Sequence, residues 1–204
     1  MGSINCINEK NIGIQSLASS GVINGVTITG TANQISISSN ADGTAGNPTV
    51  ARSATIVNST QPCFMAYLSG NLTDVTGDGT NYTVIFDTKA FDQGTNYSTS
   101  TGNFTAPVTG LYLLTSSITL SGVLAGNSSA NLRFNSSLSK AYRGLLFNPF
   151  TISVSGVVGV SFSLFVKLTA AENIASQIIV SNGTKVVDVL SGSVSSFFSG
   201  ALIT

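Results

Sequence analysis

The sequence predicts an all-β sandwich or barrel, and three observations carry that prediction. From about Gln61 onward, short segments alternate apolar and polar residues or are apolar throughout, and Gly, Asn, Ser and Asp punctuate them. No stretch keeps a 3.6-residue apolar period with caps; only 170–176 (AAENIAS) leans weakly that way. Charge is scarce: charged residues are 8% of the chain, against roughly 25% in ordinary globular domains. Ser, Thr, Asn and Gly take their place. Such a surface is polar but uncharged, as in stiff, tightly associated structures. A hydrophobic content of 42% argues against disorder.

The elements follow in order. PCFMAYLSG (62–70) reads as a first strand and NYTVIFD (81–87) as a second, with 71–80 as a loop between them. TGNFTAP (101–107) and GLYLLTSSITLSG (110–122) follow, separated by Pro107 and a turn at Thr109-Gly110. Then come SANLRFNSS (129–137), the apolar stretch 151–170, SQIIVSNG (176–183), TKVVDVL (184–190) and SSFFSGALIT (195–204). Roughly eight to ten strands with regular turn punctuation mean a sandwich or barrel.

The first 60 residues differ in texture. Val22, Val26, Ile28, Ile35 and Ile37 stand isolated among Gly, Asn, Ser and Thr, and VTI (26–28) and ISI (35–37) alternate as short strands do. Asn24-Gly25, Asp42-Gly43 and Asn47-Pro48 mark turns. So few large side chains cannot bury a core from one copy. Three copies around one axis can, and the alternative is a flexible linker. The division expected is therefore 1–60, a β-rich neck or shaft, and 61–204, a head.

Six spaced residues sharpen the fold. Phe86, Asp92, Tyr97, Phe104, Gly110 and Tyr112 stand in the register F-x5-D-x4-Y-x6-F-x5-G-x-Y, and FSGALI (198–203) closes the chain. This pattern resembles the signature of C1q-like domains, the trimeric jelly rolls of the C1q and tumour-necrosis-factor superfamily, over roughly 62–204. The resemblance implies a homotrimeric jelly-roll head. The segment 28–50 is similar to repeats beside the heads of phage tail fibres and related bacterial proteins, which implies a slender trimeric neck. Leu114 and Ser116 depart from the aromatics that usually follow G-x-Y, implying a less aromatic core, and 127–150 has no clear counterpart.

The signature residues suggest scaffold roles. Phe86, Phe104 and Tyr112 are expected on inward faces, where aromatics set how two sheets stack. Gly110 is expected in a turn, at a positive φ or a close backbone approach. Asp92 is expected to brace a loop by accepting backbone N–H groups. Residues 157–166 are apolar beyond what one sheet face requires, which implies a threefold interface or, alternatively, a strand at the sandwich centre.

The chemistry excluded is broad. The chain has no histidine, which removes Ser-His-Asp and Cys-His nucleophiles and His-based zinc sites. Scattered carboxylates give no sign of an active site, so no enzyme and no cofactor are expected. Asp74-Val-Thr-Gly-Asp78-Gly79 resembles the start of an EF-hand loop, but position 12 is Ile85 and no helices flank it, so a plain turn is expected and no metal site. Cys6 and Cys63 read as small buried thiols, with a disulfide as the alternative. Net charge is zero, so no nucleic-acid partner is expected, and no apolar run spans a bilayer, so no membrane insertion. Residues 1–15 lack the basic and apolar regions of a signal peptide.

Arg133, Lys140, Tyr142 and Arg143 form the one local basic cluster, and Arg133, Tyr142 and Arg143 are the candidate binding residues for sugars or acidic groups. The function expected is a trimeric structural and binding protein: the distal head of a phage tail fibre or a surface adhesin that recognises a cell-surface glycan or protein. Alternatives are a secreted or envelope-fibre module of a bacterium and a purely structural coat or decoration protein.

Overall fold

The computed structural model describes residues 61–203 and, upstream, the backbone of two short strands, β1 (Ser36–Ser38) and β2 (Thr49–Ala51). These two pair antiparallel, Ser36 opposite Ala51 and Ser38 opposite Thr49. β1 overlaps the predicted ISI segment (35–37) but starts one residue later, and the Asp42-Gly43 and Asn47-Pro48 turn signals fall in sequence between the pair. The VTI segment and Cys6 lie outside the described residues, as does most of the expected neck. Contacts divide the chain into Met1–Asn58 and Ser59–Thr204.

The second unit is a two-sheet sandwich. Its strands are β3 (Cys63–Tyr67), β4 (Leu72–Thr76), β5 (Asn81–Thr83), β6 (Thr88–Gln93), β7 (Asn103–Thr105), β8 (Gly110–Ser121), β9 (Ser129–Ser136) and β10 (Ala141–Phe147). After a single helical turn, α1 (Pro149–Ile152), come β11 (Val158–Leu168), β12 (Asn173–Ser181), β13 (Val187–Val189) and β14 (Phe197–Leu202). The larger sheet runs β4-β13-β8-β14-β3-β6, with β11 on the free side of β8; the smaller runs β10-β9-β12-β5, with β7 also on β12. Every pairing is antiparallel. Neighbours in space are distant in sequence, as a jelly roll requires: β14 lies between β3 and β8.

Three strands of the sandwich were missed from sequence: β10 (AYRGLLF), which lies in the stretch without a clear counterpart, and two polar ones. β4 (LTDVT) and β6 (TKAFDQ) carry too few apolar residues to show a period, and tertiary pairing with β13 and β3 makes them strands. The weakly helical 170–176 instead supplies a turn at Ala171-Glu172 and the start of β12. Gly110 opens β8 opposite Leu168 rather than sitting in the preceding turn. β11 also corrects the expectation of a strand apolar on both faces. Val158, Val160, Val166 and Leu168 are buried, Phe162 and Leu164 half-buried, and Gly159, Ser161, Ser163, Phe165 and Lys167 exposed. The run of valines and phenylalanines is an ordinary alternation with Phe165 as its outward exception.

The signature residues interlock in the core. Phe64 stacks on Phe104 (4.6 Å between ring centres) and on Tyr97 (5.1 Å), and Phe198 meets Phe64 edge-on at 4.9 Å. Phe198 also contacts Phe86 (6.4 Å) and Phe134 (5.4 Å), and Tyr112 packs edge-on against Phe104. The spacing around Asp92 has a hydrogen-bond logic. Its carboxylate accepts from the backbone N–H of Asn96 (2.9 Å) and of Tyr97 (3.1 Å), and pairs with Lys89 at 2.7 Å. The Tyr97 hydroxyl then accepts the backbone N–H of Phe86, and burial pushes its pKa far up. The Tyr112 hydroxyl donates to the carbonyl of Val108 and closes the turn before β8. One motif thus ties four segments into the core.

The departures from the family pattern have a local effect. Leu114 is fully buried, and Ser116 lies beneath the larger sheet, where its hydroxyl meets that of Ser176 on the smaller sheet at 2.7 Å. A polar link between the sheets replaces an aromatic there, while the aromatic cluster persists around it. Gly200 of the closing motif must be glycine: a Cβ would lie 2.6 Å from Leu114 and 2.8 Å from Phe64.

Candidate binding surfaces

Two sheet faces point away from the core, and they differ in chemistry. The outward face of the larger sheet is built by strict alternation. β8 turns out Leu111, Leu113, Thr115, Ser117 and Thr119; β14 turns out Phe197, Ser199 and Ala201; β3 turns out Cys63, Met65 and Tyr67. None of these side chains is charged. Phe165 of β11 is 65% exposed and Phe91 of β6 is 50% exposed. Phe91, Leu113, Ala201 and Cys63 line a shallow depression of about 250 Å³. Cys63 is a free, half-buried thiol whose sulfur faces Gln93 at 3.6 Å, so it sits on this outer face and not in the core.

The outward face of the smaller sheet holds the predicted basic residues. Arg143 on β10 stands directly opposite Arg133 on β9, which stands opposite Gln177 on β12, which stands opposite Thr83 on β5. Arg133 donates from Nε and Nη2 to Gln177 Oε1 at 3.2 and 3.1 Å, and Gln177 Nε2 donates to Thr83 at 2.9 Å. Tyr142 is not part of this row. It pairs with Phe134 on the inward side and packs against the core. Sequence adjacency put Tyr142 and Arg143 together; strand alternation puts them on opposite faces.

A bulge interrupts this stretch. The β9–β10 register slips between Arg143 and Leu145, leaving Gly144 as an extra residue. Before it, Tyr142 faces in and Arg143 out; after it, Leu145 and Phe147 face in and Leu146 out. Phe162 of β11 packs over Gly144, where a Cβ would approach its ring to 1.8 Å, and meets Phe134 at a tilt with 4.4 Å between ring centres. Any side chain at 144 would push the edges of the two sheets apart.

Lys140 is also diverted. It sits in the β9–β10 turn, 3.6 Å from the buried carboxylate of Glu172, which further accepts from the Ser136 hydroxyl and from the Thr169 backbone N–H at 3.0 Å. Burial pushes the Glu172 pKa up, but these hydrogen bonds and the Lys140 ammonium outweigh it and hold the group below the usual glutamate range. A carboxyl with a depressed folded pKa contributes stability above its unfolded pKa of about 4.3, and that contribution is lost as pH falls through the folded value. Glu172→Gln should therefore melt lower than the parent chain at pH 7, and the gap should narrow as the pH is lowered to 3. Calorimetry showing the same gap at both pH values would remove Glu172 from the acid response.

The 74–79 segment forms the end of β4 and a turn. Asp78 accepts the Thr80 backbone N–H at 2.9 Å, the backbone N–H of Asp74 donates to Asp188 at 2.8 Å, and the Gly77 and Gly79 N–H groups donate to the carbonyl of Val180. Among the described residues, no group of three Cys, Asp or Glu side chains is arranged to hold a metal ion. Also among them, no helix is long and apolar enough to cross a membrane.

The comparisons with known proteins agree with this geometry. The C1q domain family matches residues 64–203, and the chain belongs to that family. Such domains form trimers, bind ligands and are typically extracellular, non-enzymatic binding modules. Among solved structures, the globular domain of zebrafish complement 1qA is similar at a TM-score of 0.50 and 19% identity, over 71% of this chain and 98% of that one. Murine APRIL is similar at a TM-score of 0.51 and 11% identity, over 70% of this chain and 99% of that one. These likenesses are of fold. No curated protein sequence matches the chain.

Proposed function

We propose that this chain is a homotrimeric binding head on a fibre, the distal part of a phage tail fibre or a surface adhesin, with 1–60 as its neck and 61–204 as its head. The observation that carries the reading is the outward face of the larger sheet. An antiparallel sheet leaves one face to water, and that face is normally polar and charged. Here it shows Phe91, Phe165, Leu113, Phe197 and Met65 and no charge across β3, β8 and β14. Packed against copies of itself about a threefold axis, it becomes a buried interface of the kind closed cyclic symmetry repeats. The other face then stays exposed in three copies, and multivalency adds avidity to weak contacts with a cell-surface glycan or protein.

Sedimentation of the full chain should give three times its 20.8 kDa mass at micromolar concentration. The trimer should also attach to its target cells, scored by pull-down of labelled protein across a panel of bacterial strains. A stable monomer would end the assembly reading. Trimers that attach to no strain would leave the structural coat or decoration role in place of the adhesin.

A further inference from the structure

The Arg143–Arg133–Gln177–Thr83 row is more organised than a solvated patch requires. Like charges directly opposite each other on neighbouring strands, with Cβ atoms about 5 Å apart, are destabilising. In a chain with eight Lys and Arg residues in all, two of them occupy such a pair. No carboxylate answers them: the ion pairs among the described residues are Lys89–Asp92 and Lys140–Glu172. Arg143 is exposed and makes no hydrogen bond with any described residue, whereas Arg133 is clamped through Nε and Nη2 by Gln177, itself nearly buried on the central strand. One guanidinium is fixed and the other is free to close on something.

The surroundings say what that something is. Asn135 and Asn131 flank Arg133 along β9, and Asn103 and Asn81 continue the same rows on β7 and β5, with Ala175 and Ile179 of β12 between them and Leu146 of β10 beside Asn131. Asn131 Oδ1 is buried without a hydrogen-bond partner. Amides and hydroxyls on a flat face match the hydroxyls of a saccharide, and a planar guanidinium pair matches an oxyanion bidentately. We propose that this row binds the oxyanion of an acidic polysaccharide, with Arg133 as the fixed donor, Arg143 as the closing donor and Gln177 as the residue that positions Arg133. The proposal rests on the reading of the head as a surface-binding module and names its ligand class.

The test uses the full-length chain on immobilised polygalacturonate, dextran sulfate and uncharged dextran, read by surface plasmon resonance. One or both acidic polymers should bind, uncharged dextran should not, and binding should weaken with added salt. Binding to polygalacturonate alone assigns a carboxylate, to dextran sulfate alone a sulfate ester, and to both a general oxyanion site; each outcome supports the proposal. Arg143→Ala should lower affinity about tenfold or more, as loss of a charge-assisted contact does. Arg143 has no hydrogen-bond partner to lose and its removal relieves the repulsion from Arg133, so the variant should melt no lower than the parent does. Arg143→Lys should recover only part of the affinity, and Lys185→Ala, a cation on the β12–β13 connection, should lose none.

No binding to either acid, equal binding to uncharged dextran, or an unchanged Arg143→Ala would overturn it. The two readings fail separately. Cell attachment that survives Arg143→Ala removes this site and keeps the adhesin. Arginine-dependent polymer binding without cell attachment does the reverse.

Discussion

Phe198→Ala should cost the head about 3–5 kcal/mol, the range for truncating a buried phenylalanine in a core that cannot collapse around the cavity. Phe198 is fully buried and contacts the rings of Phe64, Phe86, Tyr97 and Phe134, which come from four other segments of the chain. Those rings are also held by one another and by the Asp92 and Tyr97 hydrogen bonds, so they cannot move in together to fill the space. Phe198→Leu, which keeps most of the volume, should cost well under half as much. Equilibrium unfolding in guanidinium reads both. A loss below about 1 kcal/mol for the alanine variant would mean that the ring cluster is not the keystone of the sandwich.

Phe165→Asp should change assembly rather than folding. The side chain is 65% exposed and points away from the core, so a carboxylate there costs the isolated head little. In a threefold interface the same carboxylate appears three times, desolvated and unpaired. An uncompensated buried charge costs about 3–5 kcal/mol, enough to convert a micromolar trimer to monomer. Light scattering should give a single-chain mass with an unchanged far-ultraviolet circular dichroism spectrum. A variant that remains trimeric would take β11 out of the interface. Phe162, three residues earlier, answers a different question: its ring lies on Phe134 and Gly144, so Phe162→Asp reports on the closure of the sandwich edge.

How much was legible before the fold can be read residue by residue. The six-residue signature and the closing FSGAL motif announced the C1q domain, because those residues are bound to one another by geometry that tolerates few substitutes. The inward placement of Phe86, Phe104 and Tyr112 and the bracing role of Asp92 followed from the same spacing. Illegible were the features that depend on partners far along the chain. β4 and β6 become strands only beside β13 and β3. The alternation of β11 was masked by Phe165 among inward Phe162 and Leu164. Arg133 and Arg143 were visible as a cluster, but their in-register opposition was not. Nor was the loss of Tyr142 to the core, since both depend on the register that the β9–β10 turn sets between the two strands. Gln177 and Thr83 carried no local signal at all.

Both ends of the head meet at one seam. Leu202 donates its backbone N–H to the carbonyl of Pro62 at 2.9 Å, and the Gln61 side chain reaches the Leu202 carbonyl. A pull entering the head at residue 62 runs straight along β3, which is laced on one side to β14 and on the other to β6. Such a load shears two hydrogen-bonded ladders at once instead of unzipping them rung by rung. The point where tension enters is thus also where the sandwich shares it most widely.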